Sequence, residues 1–336
     1  MIGVLVLTGF LGSGKTTLLR HLLGQREFSR TAVIINEFGE IGLDHELVEA
    51  SADSFIELAT GCLCCRLRSD LAETIDDMLE RRDRGKIPPF TRVVIETSGL
   101  ADPAPILQTL MADPGIAGRL ALSGVVTAVD AVNGESTLGR EQISVKQVAL
   151  ADRLVLTKSD LAGASELPVL DRLAELNATA PVAFAHHGRV DPRVFDADAF
   201  DPRAKSLDIN SWLGRAAEGH EHAHARHDPE IRTYAILRHA PIRAVTLTLF
   251  LETLAEHCGA DLLRLKGIVN IAESPARPAV IHGVQHVFHP PAWLARWPSD
   301  DRRSRIVFIT RRIPRRWVEV LLDALDAEVA AVSDSR

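Results

Sequence analysis

Residues Gly9-Phe10-Leu11-Gly12-Ser13-Gly14-Lys15-Thr16 fit the pattern G-x-x-x-x-G-K-[ST] at every fixed position. The chemistry such a loop offers is phosphate binding. Glycines let successive backbone N–H groups turn toward an anion, and the N-terminus of a following helix adds a favourable field. Gly9, Gly12, Ser13 and Gly14 form the expected cradle, with Thr17 beginning the helical run behind it. Lys15 is placed to reach β- and γ-phosphates, and the Thr16 hydroxyl to hold Mg²⁺. The context agrees: the apolar run Val4-Leu5-Val6-Leu7 precedes the loop, and Thr17 to Leu23 has a helical pattern stopped by Gly24.

Two later segments carry the other parts of a nucleoside triphosphatase. Val93-Val94-Ile95-Glu96-Thr97-Ser98-Gly99 is an apolar strand ending in an acid, with a glycine three residues on. Glu96 can help hold Mg²⁺ directly or through water, and the Gly99 N–H can sense a γ-phosphate. Lys15, Thr16 and Glu96 are the expected catalytic set. Leu154-Val155-Leu156-Thr157-Lys158-Ser159-Asp160 is a strand ending in T-K-S-D. The Asp160 carboxylate can accept from both N1–H and N2–H₂ of guanine, a donor pair adenine lacks, and the Lys158 stem can lie along the base. Thr157 stands where guanine-selective sites usually carry Asn. Losing one neutral hydrogen bond costs about 0.5–1.5 kcal/mol, which weakens binding without removing selection by Asp160. GTP with Mg²⁺ is the expected nucleotide.

Gly61-Cys62-Leu63-Cys64-Cys65 is a second chemical constellation. As thiolates, Cys62, Cys64 and Cys65 can give two or three sulfur ligands to a thiophilic divalent metal, leaving a position for an acid, histidine or water. Buried packing, a redox pair and an iron–sulfur ligand set use the same residues. The last wants a fourth cysteine, and Cys258 stands alone on an apolar helical stretch that reads as core. In Asn36-Glu37-Phe38-Gly39-Glu40, Glu37 or Glu40 can add oxygen ligands or shape a switch loop; a solvated turn is the bland alternative. His220, His222, His224 and His227 lie in a polar, unperiodic stretch and can bind Zn²⁺, Co²⁺ or Ni²⁺ weakly; a solvated linker is the alternative. His186-His187-Gly188 falls either near the base or on a plain surface turn.

These residues need a scaffold, and the apolar runs describe one. Strands are expected at Thr31–Ile35, Ser54–Leu58, Arg92–Glu96, Leu122–Val129, Arg153–Leu156 and Pro181–Ala185, with a helix over Arg66–Arg82. Alternation of strands and helices implies an α/β fold: a doubly wound, mostly parallel P-loop NTPase sheet. The chain turns polar and histidine-rich near Gly214 to Pro229. Residues 1–214 are therefore expected as a P-loop domain, 215–229 as a linker and 230–330 as a small α+β domain. In that last part strands are expected near Ile231–Leu237, Leu262–Ile271, Ala279–Phe288 and Arg305–Ile309, with helices near Ile242–His257 and Pro314–Ala327. Composition is that of a globular chain: 336 residues, 46% hydrophobic, 25% charged. A net charge of −7 gives no reason to expect nucleic acid as a partner. No apolar run reaches bilayer-spanning length, and the first residues read as a strand, so neither a membrane nor a secretory route is expected. Four cysteines, three of them clustered, suit a cytoplasmic chain with metal or redox chemistry.

The chain resembles the CobW-like metal-chaperone GTPases, relatives of the hydrogenase and urease maturation GTPases. The resemblance rests on Thr8–Thr17, Asn36–Asp44, the G-C-x-C-C segment Gly61–Cys65, and Glu96-Thr97-Ser98-Gly99-Leu100-Ala101-Asp102-Pro103, and extends over essentially the whole length. It implies slow GTP hydrolysis that gates delivery of zinc, cobalt or a related ion to a client metalloprotein, with a homo-oligomer left open. Histidine-rich insertions near residues 220–227 are common in such proteins, which favours a metal-loading role there. Two other readings remain: a P-loop kinase-like phosphotransferase, against which T-K-S-D speaks, and a non-catalytic metal-storage protein, against which Lys15, Thr16 and Glu96 speak.

Overall fold

The computed structural model describes residues 1–36, 67–163, 166–195 and 231–334. The expected strand at Ser54–Leu58, the acids Glu37 and Glu40, the segment Gly61–Cys65 and the histidines at 220–227 lie outside these residues. The chain divides into two compact units, Met1–Arg172 with Pro181–Phe200, and Leu173–Ala180 with Asp201–Arg336.

In the first unit the described elements run β1 (Ile2–Thr8), α1 (Lys15–Leu23), β2 (Thr31–Asn36), α2 (Leu67–Asp83), β3 (Arg92–Thr97), α3 (Ala104–Ala112), α4 (Pro114–Ala117), β4 (Leu120–Asp130), α5 (Gly134–Arg140), α6 (Gln142–Leu150), β5 (Arg153–Thr157), α7 (Ser159–Ala162), the part of α8 (Glu166–Leu176) up to Arg172, and β6 (Val182–Phe184). The six strands form one parallel sheet in the order β2-β3-β1-β4-β5-β6. Unbroken apolar strands are what a parallel sheet covered on both faces requires, and Val4 to Leu7 are at most 2% exposed. On one face Leu5, Leu7, Val33, Val94, Val126 and Val155 pack with Leu18, Leu19 and Leu22 of α1. The strand order reverses at β1: β3 flanks it on one side and β4 on the other, so the carboxyl ends of β1, β3, β4 and β5 open onto one crevice.

In the second unit β7 (Ile231–Arg238), α9 (Ala244–Cys258), β8 (Leu262–Val269), β9 (Ala279–Val284), β10 (Val287–Phe288), β11 (Ala292–Trp293), β12 (Ser304–Arg311) and α10 (Arg315–Asp334) follow one another. The strands form an antiparallel sheet, β10-β9-β8-β12-β7, with β11 on β9. Alternate residues Tyr234, Ile236, Leu265, Ile281 and Phe308 pack against Leu247, Phe250 and Leu254 of α9 and Val318 and Leu322 of α10. Where the sequence suggests one strand from Ala279 to Phe288, the structure has a hairpin. Gln285, at φ 53°, reverses the chain, and Val287 pairs back onto Val284. Gly283 makes this close return feasible: a Cβ there would lie 2.4 Å from the Phe288 ring. No described helix is long and apolar enough to cross a membrane.

Candidate functional site

The glycine loop leaves β1 at Gly9, whose φ of 141° and closeness to β4 exclude other residues. A Cβ there would sit 2.3 Å from the Ala128 carbonyl oxygen. Gly14, also at positive φ, forms the N-cap of α1 and needs no side chain to do so. Lys15 is 8% exposed, and its ammonium donates to the carbonyls of Gly9 (2.8 Å) and Phe10 (3.2 Å). The Ser13 side chain is buried, and its Oγ makes no hydrogen bond among the described residues. Buried hydroxyls are normally partnered, so an anion seated in the loop fits this group.

Beside the loop, Thr16 Oγ1 donates to Glu96 Oε1 at 2.8 Å. Glu96 is 3% exposed at the end of β3, in register with Leu7 of β1. One residue on, Thr97 Oγ1 donates to Thr8 Oγ1 at 2.7 Å and ties the two strand ends together. A hydroxyl and a buried carboxylate side by side are hard oxygen donors, which suits Mg²⁺. Gly99 lies directly on the glycine loop, since a Cβ on it would come 2.7 Å from the Leu11 nitrogen.

At the other end of the crevice, Thr157 ends β5. Its Oγ1 is 2.7 Å from the Ser13 carbonyl and 3.1 Å from that of Val129, so the hydroxyl ties β5 to the phosphate loop. Lys158, at φ 58°, turns the chain into α7, and its ammonium donates to Asp130 Oδ2 at 2.7 Å. Burial pushes the Asp130 carboxyl up, but the Lys158 ammonium, the Asn133 amide and two backbone N–H groups outweigh it and hold the carboxyl below its usual value. The Asp160 side chain is largely covered. Oδ1 accepts from the His187 backbone N–H at 3.0 Å and Oδ2 lies 3.1 Å from His187 Nδ1. The His187 N–H is the main cause that keeps Asp160 below the usual carboxylate range. His186 to Arg189 form a tight turn with positive φ at His187 and Gly188, closed by hydrogen bonds between the backbones of His186 and Arg189. It rests on α1, for a Cβ on Gly188 would strike Thr17 and His21.

The structure therefore gathers Gly9, Gly12, Ser13, Gly14, Lys15, Thr16, Thr17, Glu96, Gly99, Thr157, Lys158 and Asp160 at the carboxyl ends of the parallel strands. Cys62, Cys64, Cys65, Glu37, His220, His222, His224 and His227 lie outside the described residues. Among the described residues no group of three or more His, Cys, Asp or Glu is arranged to hold a metal ion. Sequence reading missed Asp130. The available signal was an acid ending one strand where its parallel neighbour ends in Thr157-Lys158, with Asp130 opposite Thr157 in register.

Residues 3–184 match the family model described as CobW/HypB/UreG, nucleotide-binding domain, and residues 231–326 match the Cobalamin synthesis protein cobW C-terminal domain. The zinc chaperone YjiA of Escherichia coli (strain K12) is 36% identical over 313 residues, 93% of this chain and 95% of that protein. Zinc-regulated GTPase metalloprotein activator 1 of Schizosaccharomyces pombe is 34% identical over 209 residues, covering 59% of this chain and 50% of the other. The crystal structure of Zn(II)-bound YjiA GTPase from E. coli, aligned by structure, is similar with a TM-score of 0.71 and 30% identity, over 96% of this chain and 98% of that one.

Proposed function

The chain belongs to the CobW/HypB/UreG family, and on that premise we propose that it is a slow, cytoplasmic GTP hydrolase whose nucleotide state governs binding and release of zinc for a client metalloprotein. The observation that carries the reading is the convergence, on one crevice, of Lys15 in the glycine loop, the Thr16–Glu96 pair and the covered Asp160 carboxylate.

Each group has a distinct task. The loop amides and the α1 N-terminus take the phosphates, with Lys15 swinging from the Gly9 and Phe10 carbonyls to the β- and γ-oxygens. Thr16 and Glu96 would hold Mg²⁺, which when bound offsets charge on those oxygens. Asp160, oriented by the His187 N–H, accepts from guanine and excludes adenine, while Asp130 holds the Lys158 stem at the base. Gly99, packed on Leu11, offers its N–H to the γ-phosphate. Charge shifts onto the β–γ bridging oxygen as that phosphoryl group leaves, and the fixed donors of the loop and Lys15 stabilise it.

Zinc is cargo in this scheme, not a resident cofactor. Cys62, Cys64 and Cys65 supply thiolates that favour it over harder ions, with Glu37 as an oxygen donor, and the histidines at 220, 222, 224 and 227 give weaker loading sites. Cobalt fits the same donors; the names of the relatives favour zinc. The cysteine segment lies in sequence between the end of β2 and Glu96 of β3, and Glu96 pairs with Thr16 beside the phosphate loop, so hydrolysis can loosen the metal. A coupling of about 1–3 kcal/mol changes affinity about 5–150-fold.

Nucleotide turnover tests this reading. The protein should hydrolyse GTP and not ATP, Lys15→Ala should abolish turnover, and Asp160→Asn should weaken GTP by about 1–3 kcal/mol while leaving ATP unchanged. Equal binding of ATP and GTP by the unaltered protein, or full turnover in Lys15→Ala, contradicts it.

A further inference from the structure

Helix α6 directs two consecutive side chains at the loop that follows β3. Gln147 is fully buried, and its Nε2 donates to the carbonyls of Gly99 and Ala101, both at 3.1 Å. Both partners are carbonyl oxygens, so only the amino end of the amide can face them. Lys146, at the rim, places its ammonium 3.0 Å from Asp102 Oδ2, and Asp102 Oδ1 accepts from the Ala104 N–H at the start of α3. The loop itself is a turn closed by the Ala101 N–H to the Ser98 carbonyl. One amide thus grips two carbonyls of a single turn, and one ammonium grips its exit. The main chain of Gln147 is anchored as well, its carbonyl accepting from Thr127 Oγ1 of β4 at 2.8 Å.

Packing alone does not account for a glutamine here. Its Oε1 is buried and makes no hydrogen bond among the described residues, a cost that an apolar residue of similar volume would avoid. What the amide supplies is a fixed path for Ser98 to Asp102, the stretch whose Gly99 lies against Leu11 of the phosphate loop.

We propose that Lys146 and Gln147 are positioning residues that clamp the Ser98–Asp102 turn against the phosphate loop and thereby set the response of Gly99 to a γ-phosphate. The proposal rests on the reading of Gly99 as the γ-phosphate sensor. Because GDP lacks that phosphate, the clamp acts on GTP turnover and on the preference for GTP over GDP, not on GDP affinity. A purely structural role would instead weaken both nucleotides together.

The test compares Gln147→Leu, Gln147→Met, Lys146→Ala and Gly99→Ala in the full chain, measuring kcat, KM for GTP and Kd for GDP. Gln147→Leu and Gln147→Met should lower kcat about tenfold or more, with GDP affinity within about twofold of the parent, and Lys146→Ala should show a smaller loss of the same kind. Should Gln147→Leu fail to fold, the Gln147→Met and Lys146→Ala proteins carry the same expectation. Parent-like kcat in these two, or equal weakening of GTP and GDP, overturns the clamp while Gly99→Ala remains inactive. Parent-like turnover in Gly99→Ala overturns the underlying sensor reading instead.

Discussion

Thr157→Val tests whether the residue standing in place of the usual Asn is a deficit or a working tie. The side chain is 3% exposed, and its hydroxyl has one hydrogen, which serves one carbonyl at a time. The nearer is that of Ser13, at 2.7 Å. Valine keeps the shape, so no cavity opens, and the effect isolates the hydrogen bond. Leaving a buried carbonyl unmatched costs about 1–3 kcal/mol. For a unit of this size that is a fall in melting temperature of roughly 2–4 °C per kcal/mol. Two units need not melt together, so the transition to follow is the one that added GDP raises. In the proposed nucleotide pose the Ser13 backbone faces phosphates common to both nucleotides, so GTP and GDP should weaken by the same factor. Thr157→Ser keeps the hydroxyl and should retain most of the stability. A Thr157→Val protein with unchanged melting and unchanged GDP affinity would refute the tie.

Gly9→Ala places a methyl against the Ala128 carbonyl at a φ of 141°. Overpacking against backbone together with strain should cost at least about 2 kcal/mol, read as thermal unfolding, and nucleotide binding should vanish; normal melting would contradict the loop geometry. Asp301 offers a pH test remote from the site. Hydrogen bonding to Arg303 lowers its carboxyl to about 2. A depressed pKa contributes stability that is present above the ordinary carboxylate value and is lost as pH falls toward 2. The stability gap between the parent and Asp301→Asn should therefore be constant from neutral pH down to about 4 and close below it. A gap that persists unchanged at pH 2 would show that the charge plays no part.

The phosphate loop was legible because its function resides in local backbone geometry, and eight consecutive residues specify it. The apolar runs of β1, β3, β4 and β5 and the periodicity of α2 were legible for the same reason, with boundaries within a few residues. Pairings made by the tertiary fold were not. Gln147 lies 48 residues from Gly99, and nothing in Val145-Lys146-Gln147-Val148 marks it. Asp130 and Lys158 meet only because β4 and β5 are neighbours in register. His187 meets Asp160 because the turn after β6 folds back over α1. In sequence Thr157 shows only that an amide is missing at the base, because its partner, the Ser13 carbonyl, is 144 residues away. The hairpin at Gln285 escaped because its turn lacks the Asn-Gly or Gly-first pairs that usually mark one.

Coupling between nucleotide and metal separates a metal-delivering GTPase from a plain one. The direct measurement is a zinc titration of the full chain, loaded in turn with a non-hydrolysable GTP analogue and with GDP, in the unaltered protein and in a variant with Cys64 and Cys65 replaced by Ala. One tight site is expected, about 5–150-fold tighter with the GTP analogue, and by reciprocity an equal effect of zinc on the preference for that analogue over GDP. Loss of Cys64 and Cys65 should remove both the site and the coupling, whereas replacing His220, His222, His224 and His227 should remove only weaker, nucleotide-independent binding. Equal zinc affinity in the two nucleotide states, or a cysteine variant that keeps full affinity and full nucleotide dependence, would contradict this coupling.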